Sequence, residues 1–258
     1  MLALSINQNY INFLSIYKST NQLYFEDYHS FKIKKNHFNQ EFIDKIKERK
    51  KIKKSKHISR KCMFFLESNE VFLNQFKCPD EVKIEKFIDW YKNLTFGKKS
   101  LNEYSDYHYE ISEQNFLSLY IEKQKQSHYY NCCYKAGLNL HVLSLGILSA
   151  NYLARLQFDA NNQNSYMVWG VGNDSINDEI LIVKDGMLNS IISINRKSDF
   201  SLINYTGSKD TVENTLKMLK EKMKSDLKEF NIVDKIYMYQ KCSNSDMKKK
   251  NNKKNKDS

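Results

Sequence analysis

The sequence predicts an α/β fold in which one unit is given twice, with a small α+β domain inserted after the first copy begins and a shortened second copy. Three observations predict it. Residues 2–33 alternate apolar and polar side chains in three runs, and an amphipathic helix and a short apolar strand follow. The same order of three strands, a helix and a strand returns over residues 166–239. Between the copies, residues 71–135 read as strand, helix, strand, strand, helix, a pattern belonging to neither. The division is 1–67 for the first part of the first subdomain, 68–134 for the insert and 135–160 for the rest of the first subdomain. The second lobe takes 161–242, and a Lys/Asn-rich tail, expected to be disordered, takes 243–258.

The elements follow in order. Leu2–Ile6, Tyr10–Tyr17 and Leu23–Ile33 are strands, with polar turns at Asn7-Gln8-Asn9 and Ser19-Thr20-Asn21. Phe38, Phe42 and Ile46 recur every fourth residue and mark a helix. Cys62–Leu66 and Val71–Phe76 are apolar strands, and Pro79 opens a helix that Gly97 stops. Tyr104–Ile111 and Phe116–Ile121 are strands, and Glu122–Lys135 is a helix. Ala136–Ala154 lacks any charged residue, but Asn139, His141, Asn151 and two glycines interrupt it. It reads as a strand at Leu138–Val142 running into a helix, in a soluble chain. Tyr166–Val171, Glu179–Lys184 and Met187–Ile194 are consecutive strands, the last two joined at Asp185-Gly186. Phe200–Tyr205 adds an edge strand, Thr211–Phe230 a helix and Ile232–Tyr239 a final strand.

Composition excludes several classes. The 258 residues contain one proline and seven glycines, too few for collagen-like or linker-rich chains. The net charge of +11 is carried by Lys far more than Arg, and six lysines lie in Lys248–Lys256. That is a poor tool for planar phosphate recognition, so no specific nucleic-acid partner is expected. Five cysteines without a C-x-x-C spacing fit neither a disulfide framework nor a zinc site, and suit a cytoplasmic protein. No signal peptide, G-x-S-x-G, P-loop or H-E-x-x-H occurs, nor a Ser, His, Asp order of a hydrolase, and the six histidines are scattered. Asp106 and Glu110 share a strand face as solvated acids, and Tyr104, Tyr107 and Tyr109 read as sheet packing.

Five runs punctuate this order: Leu2-Ala3-Leu4-Ser5-Ile6-Asn7, Phe76-Lys77-Cys78-Pro79, Tyr104-Ser105-Asp106-Tyr107, Ala136-Gly137-Leu138 through Leu145, and Val168-Trp169-Gly170-Val171-Gly172. In order and spacing they resemble the PilM-type pilus-assembly family of the actin-like ATPase superfamily, whose fold is a duplicated ribonuclease-H-like unit. There the first and last runs are strands ending Asp-Ile-Gly, whose turns present backbone N–H groups to nucleotide phosphates while an Asp holds Mg²⁺ through water. The resemblance therefore puts Ser5, Asn7, Gly170, Gly172 and Asn173 at a nucleotide-binding position. Ser5 and Gly170 replace both acids, and Gln240-Lys241-Cys242 replaces a Gly-Gly turn. Ser and Gly cannot supply the hard anionic oxygens that Mg²⁺ needs. Neither catalysis nor a metal or nucleotide cofactor is expected, and Asp174, Asp178 and Glu179 are turn residues or a partial replacement for a metal site.

The function this implies is a non-catalytic scaffold of a type IV pilus or type II secretion-like inner-membrane platform. It would dock the cytoplasmic tail of a membrane-anchored subunit. In the family such a tail lies between the first subdomain and the insert, which here puts Phe64, Leu66, Phe87, Ile88 and Tyr91 along the groove. The alternatives are an ATP-binding actin-like protein with a rebuilt site, or a weak nucleic-acid binder using Lys47–Lys61 and the tail. The tail could also attract the chain peripherally to an anionic membrane.

Overall fold

A computed structural model describes residues 2–7, 10–19, 22–32, 38–52, 60–97, 101–172, 177–224 and 233–241. β1 (Leu2–Asn7), β2 (Tyr10–Ser19) and β3 (Gln22–Lys32) form an antiparallel meander. β4 (Lys61–Leu66) joins β1 in parallel after α1 (Phe38–Ile52), and β8 (Asn139–Leu145) joins β4 in parallel, giving the order β3-β2-β1-β4-β8. Long returns between parallel neighbours are what parallel pairing requires: α1 makes the first, the insert and α3 (Lys123–Lys135) the second. α3 ends at the boundary drawn near residue 134 and packs on α1 and β8 as well as on the insert.

The second lobe repeats the plan. β9 (Ser165–Val171), β10 (Asp178–Lys184), β11 (Met187–Asn195) and β12 (Ser201–Gly207) run antiparallel. After α5 (Lys209–Lys224), β13 (Lys235–Gln240) pairs with β9 in parallel, giving β12-β11-β10-β9-β13. β9 thus stands to β13 as β1 stands to β4. Period two sorts the side chains. Tyr166, Val168, Leu181 and Val183 face the core shared with the first lobe and α4 (Gly146–Gln157), while Met167, Ile180 and Ile182 face α5. β10 is buried along almost its whole length, so its two acids, Asp178 and Glu179, are buried with it.

The insert is a three-stranded antiparallel sheet, β5 (Phe72–Lys77), β7 (Asn115–Glu122) and β6 (Tyr104–Ser112), with β7 central. α2 (Ile84–Phe96) covers one face and begins later than the expected start at Pro79. A turn closed by the Val82 N–H on the Pro79 carbonyl (3.0 Å) takes the intervening residues, and Lys83 enters the helix from extended backbone. The last strand begins at Lys235, and residues 225–232, expected to span its start and the end of the helix, lie outside the described set. So do the tail and residues 53–59 of the basic run ending at Lys61. The four described cysteines, Cys62, Cys78, Cys132 and Cys133, are buried and not joined in disulfides. Among the described residues no helix is long and apolar enough to cross a membrane, and no cluster of metal-ligating side chains occurs.

Candidate functional site

Where the lobes join, the turn after β4 and the residue after β13 both reach Glu179 of β10, the neighbour of β9, and the protein's own side chains fill this place. Gly170 on β9 pairs in register with Tyr239 on β13. A Cβ at residue 170 would lie 2.5 Å from the Tyr239 hydroxyl oxygen and 2.6 Å from its ring carbon. The phenol therefore occupies space that any side chain at 170 would need. Its oxygen is buried and finds no hydrogen-bond partner among the described residues, and burial, with Glu179 and Glu67 nearby, pushes its pKa far up. Ser5 accepts a hydrogen bond from the Asn12 side-chain amide at 3.3 Å. Asn7 ends β1 in the hairpin with β2, and Asn173 lies outside the described residues.

The acids on β10 are both engaged. Asp178 accepts from the Gly172 N–H (2.8 Å), the Trp169 indole N–H (2.8 Å) and the Arg196 guanidinium (2.9 Å). Arg196 also donates to the Gly172 carbonyl. A carboxylate from the chain itself thus holds the N–H of Gly172, a group the family resemblance would offer to a phosphate. Glu179 points the other way along the period-two strand, towards the first lobe. Lys241, just past β13, places its ammonium 2.6 Å from Glu179 and donates to the Asn177 carbonyl at 3.2 Å. The Ser68 N–H, from the turn after β4, donates to the other Glu179 oxygen. Both ion-pair side chains are nearly fully buried. A charge pair in so dry a place is stable only with such extra hydrogen bonds. Asp178 and Glu179, expected as turn residues or metal ligands, are instead strand residues neutralised by Arg196 and Lys241.

The five residues expected along a groove do not form one lining. Phe64 and Leu66 sit in the core of the first lobe, 1% and 4% exposed, with Phe64 against Tyr129. Phe87 and Tyr91 pack on Phe76 under α2, with Ile88 half-buried on the same helix. What reaches solvent at the seam of first lobe and insert is a set of tyrosines. The Gln126 amide of α3 donates to the Tyr107 hydroxyl of β6 (2.7 Å) and accepts from Ser105 (2.6 Å). Tyr107 and Tyr109 on β6 are exposed, as are Tyr130 and Tyr134, four and eight residues beyond Gln126 on α3. β6 is an edge strand of its sheet. Sequence reading missed this surface because it took the face of Tyr107 and Tyr109 as the packed one and the face of Asp106 and Glu110 as the solvated one.

Asp106 is half-buried and ion-paired rather than a freely solvated acid. Lys92 of α2 pairs with it, and His108 Nε2 lies 2.8 Å from its second oxygen. Burial raises its pKa, and these hydrogen bonds outweigh that and leave it below the usual carboxylate range. His108 Nδ1 lies 2.6 Å from Ser118 Oγ, so Ser118, His108 and Asp106 form a chain of contacts resembling a nucleophilic triad. Ser118, however, is fully buried on the sheet face beneath α2, where no substrate reaches it. The chain anchors α2 to the sheet. Its register, His108 opposite Ser118, is set by the hairpin turn at Glu113-Gln114 together with a bulge between Glu110 and Ser112.

No family model matches the chain, and no curated protein is similar to it in sequence. Its fold is similar to that of solved structures. A structure of the PilM-PilN type IV pilus biogenesis complex matches with TM-score 0.59 at 11% identity, over 87% of this chain and 69% of that one. The cytoplasmic domain of EpsL, an inner-membrane component of the type II secretion system of Vibrio cholerae, matches with TM-score 0.52 at 8% identity, over 76% and 71%. A protein of unknown function with an actin-like ATPase fold from Bacteroides thetaiotaomicron matches at 0.43, with 11% identity over 98% and 86%. The likeness to the first two structures shows the fold, a duplicated, actin-like α/β unit with two similar mixed sheets and an extra small antiparallel sheet.

Proposed function

We propose that the chain is a non-catalytic, cytoplasmic scaffold of a pilus or type II secretion-like platform, docking the cytoplasmic tail of a membrane-anchored subunit. The observation that carries it is the filled joint. Tyr239 takes the space at Gly170, Asp178 takes the Gly172 N–H, and Lys241 with Glu179 closes the floor. A nucleotide would have to displace a buried ion pair and an aromatic ring. The fold likeness to a PilM-PilN complex and to an EpsL cytoplasmic domain supports the platform reading.

The tail would lie as an extended strand along edge strand β6, gaining backbone hydrogen bonds, with Tyr107, Tyr109, Tyr130 and Tyr134 receiving its side chains. Such partly exposed aromatics are typical anchors for a docked peptide. The test is fluorescence anisotropy with labelled cytoplasmic tails of single-span membrane subunits encoded beside this chain. Saturable binding is expected, weakened about tenfold or more by Tyr107→Ala or Tyr134→Ala, a loss on the order of 1.4 kcal/mol or above. Binding unaffected by either change, or absent for every tail, contradicts the docking surface.

A further inference from the structure

We propose that the cleft between the insert and the second lobe is a binding site for a small organic carboxylate with an aliphatic body. A cavity of about 430 Å³ opens there, within the usual range of small-molecule sites. One wall is the end of β5 with the β6–β7 hairpin, and the other is the β10–β11 hairpin with the junction of β12 and α5. Period two sets the first wall. Asn74 and Phe76 turn to α2, where they meet Tyr91, so Gln75 and Lys77 turn to the second lobe. Gly207, at the end of β12, has φ +98° and lies against Gln75. A Cβ there would be 2.9 Å from the Gln75 side-chain oxygen and 2.0 Å from the Asn189 carbonyl oxygen. The missing side chain lets the insert close on the second lobe beside the cavity.

The lining offers donors that the chain leaves without acceptors. Gln75 Nε2 is buried and has no hydrogen-bond partner among the described residues, a costly state that an acceptor from outside relieves. Lys184, half-buried at the end of β10, donates to the neutral Thr211 hydroxyl at 3.3 Å and pairs with no acid among the described residues. Thr211 sits in the first turn of α5, so this ammonium stands at the positive end of the helix, where an anion is favoured and a cation is not. Lys77 is exposed and likewise unpaired among the described residues. Asp185, exposed at the hairpin tip, is the one acid of the described lining against these two lysines. An acceptor-rich anion fits this set. No Arg lines the cavity, so the planar fork that favours phosphate is missing, and separate ammonium and amide donors suit the two oxygens of a carboxylate. Ile111 and Leu188 line the cavity beside them and receive the aliphatic chain. Because the donors come from both walls, occupancy fastens the insert to the second lobe.

The test is a nitrogen-15 NMR titration of the full chain with sodium hexanoate, against hexanamide as its uncharged twin and sodium chloride at matched ionic strength. Saturable shifts are expected with hexanoate, largest at the backbone amides of the lining residues Gln75, Asn115 and Ser208. Its affinity is expected to exceed that of hexanamide by about tenfold or more. Lys184→Met is expected to weaken hexanoate by about tenfold, and Lys77→Met, at an exposed position, to weaken it several-fold. If Lys184→Met does not fold, Lys77→Met decides. Hexanamide binding as tightly as hexanoate, shifts centred away from the cavity, or affinity unchanged by these substitutions overturns the proposal. So does a lack of saturation up to about 50 mM hexanoate.

Discussion

Lys241→Met is expected to cost the folded protein about 3–5 kcal/mol, measured by urea unfolding at pH 7, because it strands an ionised Glu179 in the core. Glu179 is 2% exposed, and without Lys241 its strongest remaining contact in the joint is the Ser68 N–H. The loss should appear as a lower midpoint with an unchanged denaturant slope, since the fold still buries the same surface. Lys241→Met combined with Glu179→Gln should recover most of it. The neutral amide oxygen still accepts from Ser68, and no buried charge remains. The two single changes therefore should not add, and their coupling measures the pair in place. A single Lys241→Met variant as stable as the wild type would mean that water reaches this joint.

Gly170→Asp is expected to be nearly as damaging, although it restores an acid where the resemblance to ATPases has one. Its Cβ would fall 2.5 Å from the Tyr239 hydroxyl, and Gly170 itself is buried between the half-buried Trp169 and Val171. Overpacking and a buried unpaired carboxylate together should cost about 3 kcal/mol or more, with no gain of Mg-ATP binding. Tyr239→Ala in the same chain removes the ring and should return a large part of the loss. Gly170→Asp costing the same with or without the Tyr239 ring would contradict the reciprocal packing of these two positions.

The duplicated outline was legible because it rests on local signals. Period-two runs gave β1 to β3, a short apolar run gave β4, and Asp185-Gly186 gave the hairpin between β10 and β11. The helix start at Ile84 was not, because proline suits a turn as readily as a first helical turn, and here the turn prevails. In the site, the replacements at Ser5 and Gly170 were visible in the sequence. What replaces them was not. Tyr239 and Gly170 are 69 residues apart and meet only through the parallel register of β13 on β9, and Ser68 meets Glu179 only across the lobes. Nothing local marks Asp178 as a strand residue that holds the N–H of Gly172 either, since an Asp in a loop-rich stretch carries the ordinary signature of a turn. Phe64 and Leu66 were read as groove because an apolar strand looks alike whether it faces a core or a cleft, and tertiary packing decided for the core.

The filled joint is tested most directly by thermal melting and titration calorimetry of the full chain with millimolar Mg-ATP. A ligand present at a hundred times its dissociation constant stabilises the folded state by about 2.7 kcal/mol, well within reach of such a scan. An unchanged melting temperature and no binding heat are expected, because Tyr239, Asp178 and the Glu179–Lys241 pair already occupy the place. A saturable upward shift that disappears in Gly172→Val would contradict it, showing that the backbone at Gly172 still receives a phosphate.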